Sequence, residues 1–267
     1  MEKKRILFVA HEIAPYIPDT QMGANGRKLA LNTQNAGNEL RSFVPKWGII
    51  NERRHQLHEV IRLSKMNVVI NETDYPLIVK VATLQPSHSQ VYFTYTDELF
   101  LRKCMANNAD GSESTENLRK AIFFARCVLD TAKKLRWIPD IIHCQGWIAD
   151  IVPFYLKTVY ADDPTFSNAK IVTSVYHNEL TLPIPEDANK CLEFRDLTAD
   201  NIEEMGISLK TPTDMDKLAI RFSDAVILSE DNIAEDVKDY ISETGIMATT
   251  YDAISTPETI NNFYEGI

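Results

Sequence analysis

The sequence predicts an α/β protein built on a doubly wound, mostly parallel sheet. Three observations carry the prediction. Apolar runs of strand length alternate with segments of helical periodicity along most of the 267 residues. The runs "RILFVA", "DIIHC", "KIVTSVY" and "DAVILS" read as strands, the first of them fully buried. In "PDIIHCQGWIADIVPFYL" a short apolar strand meets a turn and then a helix opening on Trp147, the kind of seam at which open α/β sheets hold ligands.

The elements follow in order. After the strand Arg5 to Ala10 come a loop and a helix from about Gly26 to Ala36, with Gly37 at its C-terminal end. "ELRSFVP" gives the second strand. "MNVVI", "LIVKVATL" and "QVYFTYT" are β-rich, and the Asn, Pro and Ser breaks between them make part of the sheet antiparallel. From Asn117, the residues Leu118, Ala121, Ile122, Ala125, Val128, Leu129, Ala132 and Leu135 form one apolar stripe at helical spacing. A helix covers Asp214 to Phe222, and "TPETI" sets Thr256 as N-cap and Pro257 as the first residue of another. Asn107 to Thr115 and Leu182 to Pro212 are expected to have little order. Without repeats or low-complexity tracts, residues 1–267 are expected to form a single domain.

Composition narrows the function. With 44% hydrophobic and 25% charged residues the chain resembles an ordinary soluble globular protein. A net charge of −10 argues against nucleic acid or an anionic membrane as partner, since both need basic patches. The stretch "ILFVA" after the basic opening is too short for a signal peptide, and no run reaches a membrane span of roughly 20 residues. The four cysteines lie far apart without metal-ligand spacing and read as reduced thiols, so a cytoplasmic protein with no metal is expected. GxGxxG, a phosphate loop ending in GK[ST], HExxH and GxSxG are all absent, and no cofactor is expected. His11 and Glu12 end the first strand and on their own read as structural or solvated. "NERRHQLH" reads as a solvated face rather than a phosphate site.

Several segments, in consistent order from Arg5 to Ser229, resemble the N-terminal domain of bacterial starch and glycogen synthases, glycosyltransferase family 5. "ILFVAHEIAP" is similar to the family's first strand, which ends in Ser-Glu-x-x-Pro, with Glu12 and Pro15 matching. "NELRSFVPKWG" resembles "HEVRVVLPRYG" at Glu39, Arg41, Pro45 and Gly48. "VYFTYTDELFLR" resembles "VYFIDNPEYFDR", and "ENLRKAIFFARCVLD" resembles "DNAERFAFFSRAALE". "PDIIHCQGWIADIVPFYL" is similar to "PDVVHAHDWHTALAPLYL", and "FSDAVILS" to "YADRVTTVS". The resemblance implies a Rossmann-like domain equivalent to the acceptor-side half of a GT-B glucosyltransferase.

The departures fall on the chemistry. Where the family's "KTGGL" loop supplies a lysine and paired glycine amides near the nucleotide phosphates, this chain reads "PDTQM". Pro18 replaces the cation, Asp19 follows it, and Thr20 and Gln21 stand at the glycines, whose amides approach phosphate most closely. In the family's "HAHDWH" segment His143 and Trp147 remain, while Gln145, Gly146 and Ile148 remove two imidazoles and a carboxylate. The family's "TVHN" is similar to "SVYHN", with His177 matching after a one-residue insertion and Tyr176 without it. Family members carry a second domain that binds the sugar nucleotide, and this chain is expected to end before it.

Two functions are therefore carried forward. One is a starch or glycogen synthase-type glucosyltransferase, moving glucose from ADP-glucose to an α-1,4-glucan, inactive alone or dependent on a separate donor-domain chain. The other is a non-catalytic glucan-binding or regulatory protein. The resemblance implies substrate contacts at Glu12, His143, Gln145, Trp147 and His177, with an α-glucan or maltooligosaccharide as ligand; no catalytic residue is assigned. Trp147 can equally cap the core, and His143 can equally be a hydrogen-bonded structural histidine. A homodimer is expected, or a complex with the donor-domain chain.

Overall fold

The computed structural model describes residues 3–100 and 104–267. Leu101 and Arg102, at the end of "VYFTYTDELFLR", and the opening Met1 and Glu2 lie outside them. The first half comprises β1 (Arg5–Ala10), α1 (Gln21–Asn35), β2 (Glu39–Pro45), β3 (His58–Glu59), β4 (Met66–Ile70), β5 (Thr73–Leu84), β6 (Ser89–Tyr95), α2 (Asp97–Phe100) and α3 (Asn117–Lys134). The second comprises β7 (Ile141–Gln145), α4 (Ile151–Lys157), β8 (Lys170–Val175), α5 (Ala188–Leu192), α6 (Ala199–Glu204), α7 (Pro212–Arg221), β9 (Ala225–Leu228), α8 (Glu235–Thr244), β10 (Met247–Thr250) and α9 (Pro257–Glu265).

The strands form one sheet in the order β10-β9-β8-β7-β1-β2-β6-β5-β3, with β4 added on β5. From β10 to β6 every neighbour is parallel. Beyond β6 the sheet turns antiparallel, β5 pairing with β6, β3 and β4, as the breaks between those strands predict. In β1, Ile6 to Ala10 are buried, as a central parallel strand covered on both faces must be. The register sets Ala10 beside Gln145 and Gln145 beside Ser174, so β1, β7 and β8 end together at one edge.

Several elements differ from the sequence reading, each for a local reason. α1 begins at Gln21, five residues early, because Thr20 caps it: its Oγ1 accepts the Gly23 amide at 3.0 Å. α3 buries far more than one stripe, since the sheet lies on one side and α4 and α5 pack on others. Its Arg126 is buried without a carboxylate and is satisfied by Tyr155 Oη and the carbonyls of Val69, Cys191 and Glu193. The two segments expected to lack order hold each other. Glu113 accepts the amides of Thr181 and Leu182 at 2.7 and 3.1 Å, and residues 182–212 contain α5 and α6, the latter opened by a Thr198–Asn201 capping box. β10 has no counterpart in the sequence reading. The helix starts at Asn117 and Thr256 stand where spacing and capping put them. Among the described residues no helix is long and apolar enough to cross a membrane.

Candidate functional site

The seam at the ends of β1, β7 and β8 is packed shut. The His11 amide donates to Gln145 O at 3.0 Å, closing the end of β1 on β7. Gly146 follows with φ +72° and ψ 166°, a combination reached almost only by glycine. A Cβ there would stand 3.0 Å from His11 Cβ and 3.1 Å from Met22 Sδ. α1 lies directly on the strand end, because a Cβ at Gly26 would fall 2.6 Å from Glu12 O. Gly23 and Gly26 are both helix residues whose missing Cβ permits this close approach.

Each residue implied as a substrate contact has a definite place. Trp147 is 3% exposed and opens a 3-10 turn, not yet the helix; its indole sits 5.2 Å from the His11 ring and 6.1 Å from Trp47, and Nε1 donates to Glu179 at 3.4 Å. It offers no free face for stacking. His143 is buried within the sheet, with Nδ1 on Tyr264 Oη and Nε2 on Ser174 Oγ, both at 2.7 Å, and burial holds its pKa down to about 3. Both ring nitrogens are thus engaged inside the protein. Gln145 Nε2 donates to Met22 O and Tyr176 Oη. His177 is exposed, while Tyr176 is buried and its Oη accepts from Gln145 Nε2.

Glu12 is 5% exposed and accepts a hydrogen bond from Thr20 Oγ1. Burial raises its pKa, the Thr20 hydroxyl opposes this, and the charges of Glu179 and Glu230 raise it further. The stretch that replaces the family's phosphate loop is thereby spent internally. Thr20 serves the helix and Glu12, Gln21 Nε2 donates to Asn25 at 2.7 Å, and Pro18 and Asp19 face solvent. Three carboxylates, Glu12, Glu179 and Glu230, gather at this place.

Outside the closed seam lies an open crevice of about 890 Å³, between the start of α1 and the ends of β9 and β10. Asn25, Lys28, Ser229, Glu230, Asp231 and Asn232 line it, with Tyr251 at its base donating to Asn25 O at 3.1 Å. The sequence reading placed its contacts at Glu12, His143, Gln145, Trp147 and His177 and did not single out this polar wall, whose halves lie far apart in the chain and meet through the sheet order.

Asp150 and Asp216, also unmarked in the sequence, are buried where the start of α4 packs on α7, with Asn178 Nδ2 donating to Asp216 at 3.1 Å. Burial pushes Asp150 up to about 7, and burial together with the Asp150 charge holds Asp216 well above the usual carboxylate range. The pair retains a proton near neutral pH.

Comparison with known proteins agrees with this geometry. The pattern of the starch synthase catalytic domain matches residues 5–249. Glycogen synthase from Chlorobium limicola is 36% identical over 174 residues, which are 65% of this chain and 36% of that protein. Glycogen synthase from Chlorobaculum tepidum is 32% identical over the same lengths. The matched part thus spans about a third of these relatives. Among solved structures, the catalytic domain of starch synthase IV from Arabidopsis thaliana, bound to ADP and acarbose, superposes with a TM-score of 0.73 at 17% identity, over 93% of this chain and 52% of that one.

Proposed function

The chain belongs to the starch synthase catalytic domain family, and on that premise we propose that it binds an α-1,4-glucan segment non-catalytically, in the crevice between α1, β9 and β10. The observation that carries this reading is the crevice wall itself. Carboxylates, amides and hydroxyls at Asn25, Ser229, Glu230, Asp231 and Asn232 match the hydroxyl pattern of a neutral sugar chain. The same carboxylates, with Asp252 beside them and Glu12 behind, outnumber Lys28 and Lys238 on the crevice wall and oppose a diphosphate, whose departure in glucosyl transfer needs cations or aimed amides. Acarbose in the Arabidopsis neighbour agrees with an oligosaccharide ligand for this fold.

Family membership supports a second reading, transfer of glucose from ADP-glucose to the glucan. That chemistry requires a donor-binding half facing this edge; a homodimer is the other arrangement that would cover the crevice. Calorimetry separates the readings. Maltoheptaose is expected to bind in the millimolar range and to lose about tenfold in affinity in Glu230→Gln, while ADP-glucose gives no heat. Micromolar binding of ADP-glucose would overturn the non-catalytic reading in favour of transfer, and no response to maltoheptaose would remove the glucan. Light scattering with and without glucan reports the assembly.

A further inference from the structure

Three of the six histidines line one cavity on the antiparallel side of the sheet. The floor follows from register. His58 pairs with Val81 across β3 and β5, and Thr83 pairs with Gln90 across β5 and β6. Side chains two apart on a strand, and those directly opposite, share a face. One face of these strands therefore presents His58, Val81, Thr83 and Gln90 together. The turn before β3 raises Arg54, His55 and Gln56 as one wall, and the β5–β6 turn raises Gln85 and His88 as another. Pro15 and Tyr16 close the space, the Tyr16 ring lying edge-on to His55 at 5.2 Å. Behind the rim, the Arg27 guanidinium donates to Ala14 O at 3.3 Å and Gln85 O at 2.5 Å, adding a second positive charge.

The chain has 38 acidic residues against 28 basic ones, yet no carboxylate lines this cavity. Its volume of about 630 Å³ exceeds what a bare anion fills. One arginine and three imidazoles present donors suited to a dianion. Gln56, Gln85, Gln90 and Thr83 add paired donors and acceptors suited to hydroxyls, and the Tyr16 ring adds an apolar surface. We propose that this cavity binds a small phosphate monoester whose body carries several hydroxyls. The segment "NERRHQLH", a solvated face in the sequence reading, then becomes one wall of a binding site. The assignment stands apart from the glucan crevice, which different elements build.

Ribose 5-phosphate, inorganic phosphate and ribose serve as probes, in calorimetry and in histidine-ring NMR of the whole chain. Ribose 5-phosphate is expected to bind about tenfold more tightly than inorganic phosphate, and ribose not at all. The ring signals of His55, His58 and His88 should move, while those of buried His11 and His143 stay. Arg54→Gln and His88→Gln, both at exposed positions, should each weaken ribose 5-phosphate about fivefold with unchanged thermal melting. Equal affinity for inorganic phosphate would overturn the organic body, leaving a site for the anion alone. Absence of binding at about 10 mM, or unchanged binding in both variants, would overturn the proposal entirely.

Discussion

At the ends of β1, β7 and β8 three carboxylates gather, Glu179 and Glu230 acting on buried Glu12; beside β3, β5 and β6, Arg54 and three histidines line a cavity that has none. The first region is filled, its hydroxyls, amides and rings turned on one another. The second is open, with donors facing empty space. In the sequence the family resemblance is spread over β1, β2, β6, α3, β7 and β9, and of its matched residues Pro15 lines the second region. His143 and Trp147, both retained, are buried and hydrogen-bonded within the closed seam rather than facing an opening.

The most severe way to break this contrast is to restore the family's aspartate in the closed seam. Gly146→Asp places a side chain on a backbone that costs about 1–3 kcal/mol for any residue but glycine. It also meets His11 at 3.0 Å and buries a carboxylate near Glu12. The expected loss in urea unfolding is about 3 kcal/mol or more, with Gly146→Ala losing about 2. A variant within about 1 kcal/mol of the parent would mean that the seam has room, and would reopen it as a site.

A smaller effect sharpens the electrostatic side. Because Asp150 and Asp216 are raised above the ordinary carboxylate range, the fold binds a proton that the unfolded chain releases. The stability this proton brings is complete below about pH 4. It is lost as pH rises towards 7, at roughly 1.4 kcal/mol per pH unit for one retained proton. Asp150→Asn keeps the shape and lets an amide donate to Asp216 without titrating. Its stability should fall less steeply between pH 4 and 7 and exceed the parent's at pH 8. Parallel curves for parent and variant would show that the pair holds no proton.

The fold was legible because periodicity and capping are local. β1, β7 and the starts of α3 and α9 need only their own residues. What escaped was set by juxtaposition. The close approach that Gly23 and Gly26 permit shows only when β1 is laid against α1. Asp150 and Asp216 are 66 positions apart and meet because α7 packs on α4. His55 and His88 come together through an antiparallel hairpin with no family motif to mark it. Conversely, the departure from the family's phosphate loop at Pro18 to Gln21 was visible once the resemblance was drawn, since the loop is one local stretch of sequence. Its consequence, a helix start pulled forward onto Thr20, was not.

That helix start offers the gentlest test. Thr20 Oγ1 makes two contacts, accepting the Gly23 amide and donating to Glu12. Thr20→Val keeps the shape and removes both. The lost cap should cost about 1 kcal/mol at any pH. The lost donor acts on Glu12, whose pKa burial has already raised and which the Thr20 hydroxyl alone among the named causes pulls down. Without it the pKa climbs further, and a group raised in the fold loses its stabilising proton as pH rises. The deficit of Thr20→Val should therefore be larger at pH 8 than at pH 5, with Thr20→Ser restoring stability at both. An equal deficit at both pH values would mean that Thr20 only caps the helix, and that the carboxylate beneath it is solvated well enough to admit a ligand.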